Sequence, residues 1–371
     1  MKVKVMSIFG TRPEAIKMAP LIKELEKNNN FESVVCVTGQ HREMLDQVLE
    51  IFNIRPKYDL DIMKKNQTLT TLTTSIIKEL ENVYTKERPN IVLVHGDTTT
   101  TFSAALSAFY HKIDVAHIEA GLRSNDMYAP FPEEANRRLT SVLSTYHFAP
   151  TNMSKANLLK ERINEDNIYV VGNTVIDSMK YTINTNYKFK NQVLKNLDFT
   201  KKIVVVTAHR RENWGTPMMN ICKTIKRLAK EYNGEIEFVF LSHLNPVVKE
   251  VVYNTLEGIE NVKILAPIDI EDAHNLLYRC FFVMTDSGGI QEEAPYLSKY
   301  VLVLRSKTER QEVLEEGMVK LVGTDEENIY KYSKEYIDNK IKVNNLSSHS
   351  YGDGDASLKI VNILEKKYVK K

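Results

Sequence analysis

Ser287, Gly288 and Gly289 form the stretch of this sequence that is best suited to binding a phosphate group. They follow a short apolar run that predicts a buried strand, and they precede a stretch that predicts a short helix. A glycine turn between a strand and a helix directs backbone N–H groups and the positive end of the helix dipole towards one point. Glu293, one turn into that helix, could accept hydrogen bonds from ribose hydroxyls. An ordinary turn with Ser287 as the helix N-cap fits the same residues.

Three carboxylates in the first half of the chain lie at the end of a predicted strand or the start of a predicted helix. Asp97 and Glu119 follow strands, and Glu133 begins a helix. The carboxyl ends of parallel strands meet at one edge of a sheet, and carboxylates brought together there raise one another's pKa, which suits proton transfer. Taken singly, each acid also fits a structural role, with Asp97 as an N-cap and Glu133 as a partner of the helix dipole.

Cations and a histidine follow two further strands. Arg12 and Lys17 come after the first strand of the chain and could clamp the anionic groups of a nucleotide, although two solvated surface charges are the preferred interpretation of these residues alone. His209 comes after a strand in the second half of the chain. It is a candidate for proton transfer or phosphate contact, and an exposed polar loop is the alternative.

The order of strands and helices predicts two domains of α/β class. The chain has 371 residues, and strands alternate with helices in both halves, which predicts two doubly wound parallel sheets with a ligand crevice between the domains. We expect an N-terminal Rossmann-like domain over residues 1–172, completed by a C-terminal helix over residues 355–371. Residues 173–354 should form the domain that binds the nucleotide diphosphate, with the polar residues 181–201 as a linker.

Composition excludes several classes of function. The net charge of +2 without a basic block argues against nucleic-acid binding, and no apolar run is long enough to span a membrane. The three cysteines fit neither a disulfide framework nor a zinc site, so a cytoplasmic location is expected. The pairs His95/Asp97 and His117/Glu119 could share strand faces, but no HExxH or CxxC supports a metal. The GxGxxG fingerprint is also missing, so neither a metal nor NAD is expected as a cofactor.

Nearly the whole chain resembles the non-hydrolysing UDP-N-acetylglucosamine 2-epimerases. The matching segments are FGTRPEAIKMAPLI (9–22), TGQHREMLDQVL (38–49), VHGDTTTT (94–101), HIEAGLRS (117–124), PFPEEANRRLT (130–140), VGNTVID (171–177), TAHRREN (207–213), HLNP (243–246), TDSGGIQEEAP (285–295), TER (308–310) and YGDG (351–354). The resemblance implies a glycosyltransferase-B-like pair of Rossmann domains, a homodimer, and catalysis without a metal or NAD.

The same resemblance implies roles for individual residues. Those that match the family's catalytic set are Asp97, Glu119, Glu133 and His209. Those that match its substrate contacts are Arg12 and Lys17 for the nucleotide, Ser287, Gly288 and Gly289 for the diphosphate, Glu293 for the ribose, and Arg310 for the phosphates. Gln40 and His41 match a segment through which some members bind substrate at a regulatory site. One departure is that Ile270 and Ala273 stand where the family commonly has aromatic residues lining the uracil pocket.

The reaction implied is reversible epimerisation of UDP-N-acetylglucosamine (UDP-GlcNAc) to UDP-N-acetylmannosamine (UDP-ManNAc), which would supply ManNAc units for bacterial surface polysaccharide. Because the hydrogen on carbon 2 is not acidic and the NAD fingerprint is missing, we expect elimination of UDP to 2-acetamidoglucal, followed by re-addition. Three alternatives stay open at this point: a glycosyltransferase of the same architecture, a hydrolysing epimerase that releases free ManNAc, and a non-catalytic sensor of nucleotide sugars.

Overall fold

The computed structural model describes residues 2–39, 42–64, 67–243, 245–308, 310–315, 317–340 and 349–369. The chain forms two compact units, which we call the first unit and the second unit. The first unit consists of Met1–Tyr181 and Tyr351–Lys371, and the second unit of Thr182–Ser350. The boundaries expected from the sequence were 172/173 and 354/355, so these units divide the chain at somewhat different residues.

Strands and helices alternate along the whole chain. The strands are β1 (Val3–Phe9), β2 (Phe31–Val37), β3 (Tyr58–Asp59), β4 (Ile91–His95), β5 (Asp114–Ile118), β6 (Tyr146–Ala149), β7 (Ile168–Val170), β8 (Lys202–Ala208), β9 (Ile236–Ser242), β10 (Val262–Leu265), β11 (Phe282–Thr285), β12 (Tyr300–Val303) and β13 (Val319–Leu321). The helices are α1 (Arg12–Lys27), α2 (Arg42–Ile51), α3 (Leu69–Glu87), α4 (Thr99–Tyr110), α5 (Glu133–Leu143), α6 (Asn152–Lys160), α7 (Thr174–Thr182), α8 (Gln192–Lys195), α9 (Thr216–Glu231), α10 (Pro246–Leu256), α11 (Ile270–Arg279), α12 (Gly288–Tyr296), α13 (Glu312–Glu315), α14 (Glu326–Ile337) and α15 (Ala356–Tyr368).

The first unit contains a parallel sheet with the strand order β3-β2-β1-β4-β5-β6-β7. Its central strands β1 and β4 are largely buried and mostly apolar, as expected for strands covered by helices on both faces. Helices α1, α2 and α15 share an apolar cluster on one face, and α3 and α4 share a second cluster on the other. The strand order reverses between β1 and β4, and ligands of open parallel sheets bind outside the carboxyl ends of the strands at such a reversal.

The C-terminal helix α15 packs within the first unit, where Ile360 and Leu364 join the apolar cluster of α1. The sequence predicts Asp355 as its N-cap, and Asp355 occupies that position, but its side chain makes no capping hydrogen bond. The carboxylate of Asp177 instead accepts from the backbone N–H of Ser357 at 2.7 Å. This long-range partner could not be read from the local sequence.

The second unit contains a parallel sheet with the order β10-β9-β8-β11-β12-β13, which reverses between β8 and β11. The polar segment before β8 is fixed on α11 by Asp272, which accepts from the backbone N–H groups of Lys190 and Asn191 at 2.8 Å each. The segment was expected to be a linker, and it includes the short helix α8. The carboxyl ends of β8 and β11, which pair at this reversal, position the candidate site residues of this unit.

Candidate active site

Glu119 follows β5 in a conformation that non-glycine residues rarely adopt. Its φ is 62°, in the left-handed region, which costs roughly 1 kcal/mol or more and is often found at functional sites. Its Oε2 accepts a hydrogen bond from Asn173 Nδ2 at 2.7 Å and forms an ion pair with Lys17 Nζ. The expected contact of Lys17 with a nucleotide stays a prediction, and in the structure its ammonium contacts this carboxylate. The carboxylate of Glu119 is therefore oriented by its backbone and by two side chains from α1 and the residue before α7.

Asp97 follows β4, the strand that pairs with β5. Its carboxylate Oδ2 accepts from Arg137 Nη2 at 2.6 Å, and its carbonyl accepts from Asn136 Nδ2 at 2.9 Å. The N-cap of α4 is Thr98, which accepts from the backbone N–H of Thr101, so the structural role considered for Asp97 is filled by its neighbour. The two contacts from α5 hold Asp97 at the same sheet edge as Glu119.

Glu133 begins α5, and its carboxylate differs from that of its neighbour Glu134 in its hydrogen-bond partners. Glu134 is fully buried and accepts from the backbone N–H of Ser124 and from the guanidinium groups of Arg137 and Arg138, so it serves the fold. By contrast, Oε2 of Glu133 is buried without a hydrogen-bond partner among the residues that the structure describes. A buried polar atom without a partner costs free energy, which is characteristic of sites that bind a ligand or transfer a proton.

The first turn of α12 in the second unit combines a helix N-terminus with a buried arginine. Ser287 occupies the N-cap position, and its side chain makes no capping hydrogen bond. Arg310 donates from Nε to Glu292 Oε1 at 2.8 Å. A Cβ on Gly288 would lie 2.7 Å from the guanidinium carbon of Arg310, so the missing side chain makes room for that cation. Backbone N–H groups and a guanidinium therefore meet at the start of α12, as an anion site requires.

Glu293 lies one turn into α12, as the sequence predicts. A Cβ on Gly289 would lie 3.3 Å from its Oε1, and its Oε2 lies 3.8 Å from Nε2 of the buried His274. Ile270 is buried and begins α11, the helix that also carries Ala273 and His274.

His209 follows β8 and lies beside the residue that follows β11. Its Nδ1 is 3.1 Å from Asp286 Oδ1, and its imidazole stacks on that of His243 with ring centroids 5.7 Å apart. Because β8 and β11 flank the reversal of strand order, His209 and Ser287 leave neighbouring strands at one sheet edge.

Arg12 begins α1 and is half-buried. Gln40 and His41 lie outside the described residues, so their predicted regulatory role has no structural description.

Comparison with known proteins identifies the family. A family model described as UDP-N-acetylglucosamine 2-epimerase matches residues 23–365. The UDP-N-acetylglucosamine 2-epimerase of Bacillus subtilis (strain 168) is 49% identical over 362 residues, which cover 97% of this chain and 94% of that protein. This chain belongs to the UDP-N-acetylglucosamine 2-epimerase family.

Solved structures of family members have the same fold. The crystal structure of the UDP-GlcNAc 2-epimerase from Neisseria meningitidis bound to UDP-GlcNAc is 49% identical with a TM-score of 0.91, covering 98% of this chain and all of that one (100%). The UDP-GlcNAc 2-epimerase from Methanocaldococcus jannaschii, solved in complex with UDP-GlcNAc and UDP, is 35% identical with a TM-score of 0.81 and the same coverage of both chains. The fold class and the family resemblance predicted from the sequence are thereby confirmed.

Three partners of the candidate residues in this epimerase-family chain were missed in the sequence. They are Asn173, Arg137 and Asp286, which contact Glu119, Asp97 and His209 respectively. Asn173 lies in the VGNTVID segment and Asp286 in the TDSGG segment, so membership of a matching segment was the available signal. Only the folded chain shows which carboxylate or imidazole each of them contacts.

The histidines at the ends of β4 and β5 are suited to a structural role. Burial lowers the pKa of His95 to about 4 and that of His117 to about 3, so both are neutral at physiological pH. His117 Nε2 lies 2.7 Å from the carbonyl oxygen of Gly96, which ties β5 to the turn after β4.

Across the described ranges, no group of three or more His, Cys, Asp or Glu side chains could hold a metal ion. None of the helices in those ranges combines the length and apolar composition of a membrane-spanning segment.

Proposed function

We propose that this chain interconverts UDP-GlcNAc and UDP-ManNAc by the non-hydrolysing route. The observation that carries the proposal is Glu119, a carboxylate in a left-handed backbone conformation, oriented by Lys17 and Asn173. A strained and oriented carboxylate at a sheet edge suits proton transfer better than it suits fold stability. The relatives solved with UDP-GlcNAc or UDP support the choice of substrate.

The reaction proposed has two balanced steps. In the first, a carboxylate of the first unit removes the proton from carbon 2 while the bond between carbon 1 and the UDP oxygen breaks, giving 2-acetamidoglucal and UDP. In the second, a proton is returned to carbon 2 on the opposite face and the UDP oxygen bonds to carbon 1 again. Asp97 and Glu119 would transfer the protons, since each is held at one sheet edge by contacts from other elements. Glu133 would assist them through the carboxylate oxygen that has no partner in the described part of the chain.

The second unit would bind the nucleotide and stabilise the departing diphosphate. Negative charge that develops on a leaving group is stabilised by fixed N–H donors and cations. The N–H groups at the start of α12, the Arg310 guanidinium and the His209 imidazole would supply them, and Glu293 would accept from the ribose. Arg12 is proposed as a further nucleotide contact. With Ile270 and Ala273 in place of aromatic residues, we expect the uracil to be held by apolar contact rather than by ring stacking.

Proton NMR of UDP-GlcNAc with the enzyme in D₂O tests the proposal. We expect UDP-ManNAc to form, deuterium to enter at carbon 2 of both sugars, and no free ManNAc or UDP to accumulate. Asp97→Asn and Glu119→Gln should each slow the exchange by about 100-fold or more, whereas Glu32→Gln, at an exposed position on β2, should not. Accumulation of ManNAc and UDP would favour the hydrolysing epimerase. Transfer of sugar to an acceptor without epimer would favour the glycosyltransferase, and binding without deuterium exchange the sensor.

The homodimer expected from the resemblance is proposed to form through α4 and α5. Phe109 and Tyr110 on α4 are exposed, as are Leu139 and Val142 on α5, with Val142 77% exposed. Such a patch of large apolar side chains is characteristic of an interface between protein chains. Light scattering after size-exclusion chromatography should show a dimer for the wild type and a monomer for Val142→Glu, while Leu358→Glu on α15 should remain a dimer. A wild type that is monomeric at all concentrations would contradict the proposal.

Two expectations about the cellular role stay predictions. Cys36, Cys222 and Cys280 are buried and unpaired, which fits the reducing cytoplasm expected from the sequence. Supply of ManNAc units to a surface polysaccharide would be tested by deleting the gene and measuring ManNAc in the cell envelope, with no decrease as the contradicting result.

A further inference from the structure

Asp286 is a fully buried carboxylate at the carboxyl end of β11, directly before the proposed diphosphate site. Its Oδ2 accepts three hydrogen bonds from the loop that follows β8. The donors are the backbone N–H groups of His209 at 2.8 Å and Arg210 at 2.9 Å, and Nδ2 of Asn213 at 2.9 Å. One carboxylate oxygen thus fixes the loop that carries His209 against the start of α12.

The other oxygen of Asp286 is directed at the imidazole. Oδ1 lies 3.1 Å from Nδ1 of His209, at ion-pair distance although not aligned as a straight hydrogen bond, and it has no hydrogen-bond partner in the described part of the chain. Burial by itself raises the pKa of the Asp286 carboxyl, but His209 and the backbone N–H groups outweigh burial and hold that pKa below its usual value. Asp286 is therefore an anion at neutral pH, and a small rotation of the imidazole would give it a charged hydrogen bond.

We propose that Asp286 is a positioning residue for His209, which accepts the Nδ1–H of its imidazole and favours the imidazolium, so that Nε2–H donates to the diphosphate bound at α12. This inference rests on the proposed function for the identity of the ligand. A carboxylate on one ring nitrogen fixes which nitrogen faces the substrate and stabilises the protonated ring. His209 has 41% of its side chain exposed, so a ligand can reach the imidazole from solvent.

The other groups around His209 do not provide this charge. His243 stacks on the imidazole, and burial followed by repulsion from His209 lowers its pKa, so it is neutral at physiological pH. Nδ1 of His243 accepts from the backbone N–H of Asn245 at 3.1 Å, which fits the neutral ring. The Arg210 guanidinium donates from Nε to the backbone carbonyl of Asp286, and Trp214 Nε1 lies 3.4 Å from the carbonyl oxygen of His209. Among the residues that the structure describes, Asp286 is thus an anion that faces the ring.

The pH dependence of UDP affinity tests this proposal without depending on epimerase activity. In Asp286→Asn, the amide oxygen can accept the hydrogen bonds from the N–H groups of the loop, while the amide nitrogen faces Nδ1 of His209. Because the amide NH₂ donates to an unprotonated Nδ1, this variant favours the neutral imidazole. We expect UDP to bind about tenfold more weakly than to the wild type near pH 8, and the ratio to fall below about threefold near pH 5.5, where a free imidazole is protonated. The terminal phosphate of UDP also titrates in this range, so the ratio of the two proteins at each pH is the quantity to compare.

Two further variants separate positioning from a structural role. Asn213→Ala removes one donor to Oδ2 and leaves the contact between Oδ1 and His209, so it should weaken UDP binding equally at both pH values or not at all. In a His209→Gln background, Asp286→Asn should change the UDP dissociation constant by less than about twofold. A pH-independent loss in Asp286→Asn, or the same loss in the His209→Gln background, would overturn the proposal.

Nitrogen-15 NMR of the wild type covers the case in which Asp286→Asn does not fold. The His209 ring signals, assigned from their loss in His209→Gln, should show both nitrogens protonated in the UDP complex near pH 7.5. A neutral ring in that complex would overturn the inference. A wild type that binds UDP with this signature but does not epimerise UDP-GlcNAc would count against the proposed function alone.

Discussion

Replacing Gly288 by alanine should disturb Arg310 before it disturbs the bound phosphate. The added Cβ would lie 2.7 Å from Cζ, 2.8 Å from Nη1 and 2.9 Å from Nη2 of Arg310, which is closer than real Cβ atoms approach other heavy atoms. The guanidinium must therefore move, and Arg310 Nε is held at 2.8 Å by the carboxylate of Glu292, whose side chain is fully buried. One general reason for glycine at a phosphate site is that a Cβ would hold the phosphate oxygens away from the backbone. The structure adds a second reason, which is space for a cation.

The size of the effect follows from the bond that is disturbed. A hydrogen bond to a charged group contributes about 1.5 to 3 kcal/mol, and alanine in place of glycine in a helix returns about 0.5 to 1 kcal/mol. We therefore expect Gly288→Ala to lower the free energy of unfolding by about 1 to 2 kcal/mol. UDP should bind about 10- to 100-fold more weakly, because an arginine–phosphate contact is of the same strength as the bond to Glu292.

Isothermal titration with UDP and urea unfolding measure these two effects. The control is the same substitution in an Arg310→Ala background, where there is no guanidinium to displace. If the proposed reason is correct, Gly288→Ala should change UDP affinity by less than about threefold in that background. An equal loss of affinity in both backgrounds would refute the reasoning and favour a direct clash between the Cβ and the phosphate.

Three further predictions concern two backbone positions and one carboxylate that forms ion pairs. Gly121→Ala should lower the free energy of unfolding by about 3 kcal/mol or more, because the φ is +92° and the added Cβ would lie 2.3 Å from a backbone carbonyl oxygen. Gly234→Ala is the control, since Gly234 has a φ of +88° in open space, and it should lower the free energy of unfolding by only about 1 kcal/mol. Glu119→Gly should be about 1 kcal/mol more stable than Glu119→Ala in urea unfolding, since the residue has a φ of 62°. Hydrogen bonds from Lys4 and other neighbours lower the pKa of Glu87 from 4.5 to about 2, so its contribution is full above about pH 4.5 and is lost as the pH falls towards 2. Glu87→Gln should therefore be about 2 kcal/mol less stable than the wild type at neutral pH, with the difference shrinking in acid unfolding below about pH 3.

The strands of both sheets could be predicted because their signal is local. The sequence predicts strands over residues 31–37, 114–118, 146–149 and 262–265, and each has these bounds in the structure. Apolar residues make up most of each of these strands, and this local signal needs no long-range information to recognise. The alternation of these runs with amphipathic helices was sufficient to predict the fold class.

Helices α7 and α11 are difficult to predict from the sequence because they bury polar side chains. In α11, Asp272, His274 and Asn275 are all buried, which breaks the apolar period that marks a helix. Their partners lie far away in sequence, such as Thr182, whose hydroxyl oxygen is 2.6 Å from His274 Nδ1. The same holds for Asp177 in α7, which caps α15. From the sequence alone a polar residue is predicted to lie at the surface, and its burial can be predicted only when its hydrogen-bond partner is known.

The rule that parallel strands end at one edge of a sheet predicted where the candidate site residues lie. It did not predict which cations accompany their carboxylates. The sequence argument counted three carboxylates and expected each to raise the pKa of the others. In the structure Asp97 contacts Arg137 and Glu119 contacts Lys17, so a cation from another element accompanies each of these carboxylates. The crowding that the argument assumed is therefore offset by two cations that sequence spacing could not assign to them.

These cations change how single variants should be interpreted. The side chains of Lys17 and Arg137 are only 13% and 12% exposed, so Glu119→Gln or Asp97→Asn leaves a poorly solvated cation beside the site. Such a cation would alter UDP affinity, whereas loss of a proton-transfer group would slow exchange at carbon 2 without altering UDP affinity. Glu119→Gln combined with Lys17→Met removes both members of the pair. If exchange stays slow in the double variant while UDP affinity returns to that of the wild type, the carboxylate transfers the proton; if exchange recovers, the slow rate of Glu119→Gln came from the unpaired lysine.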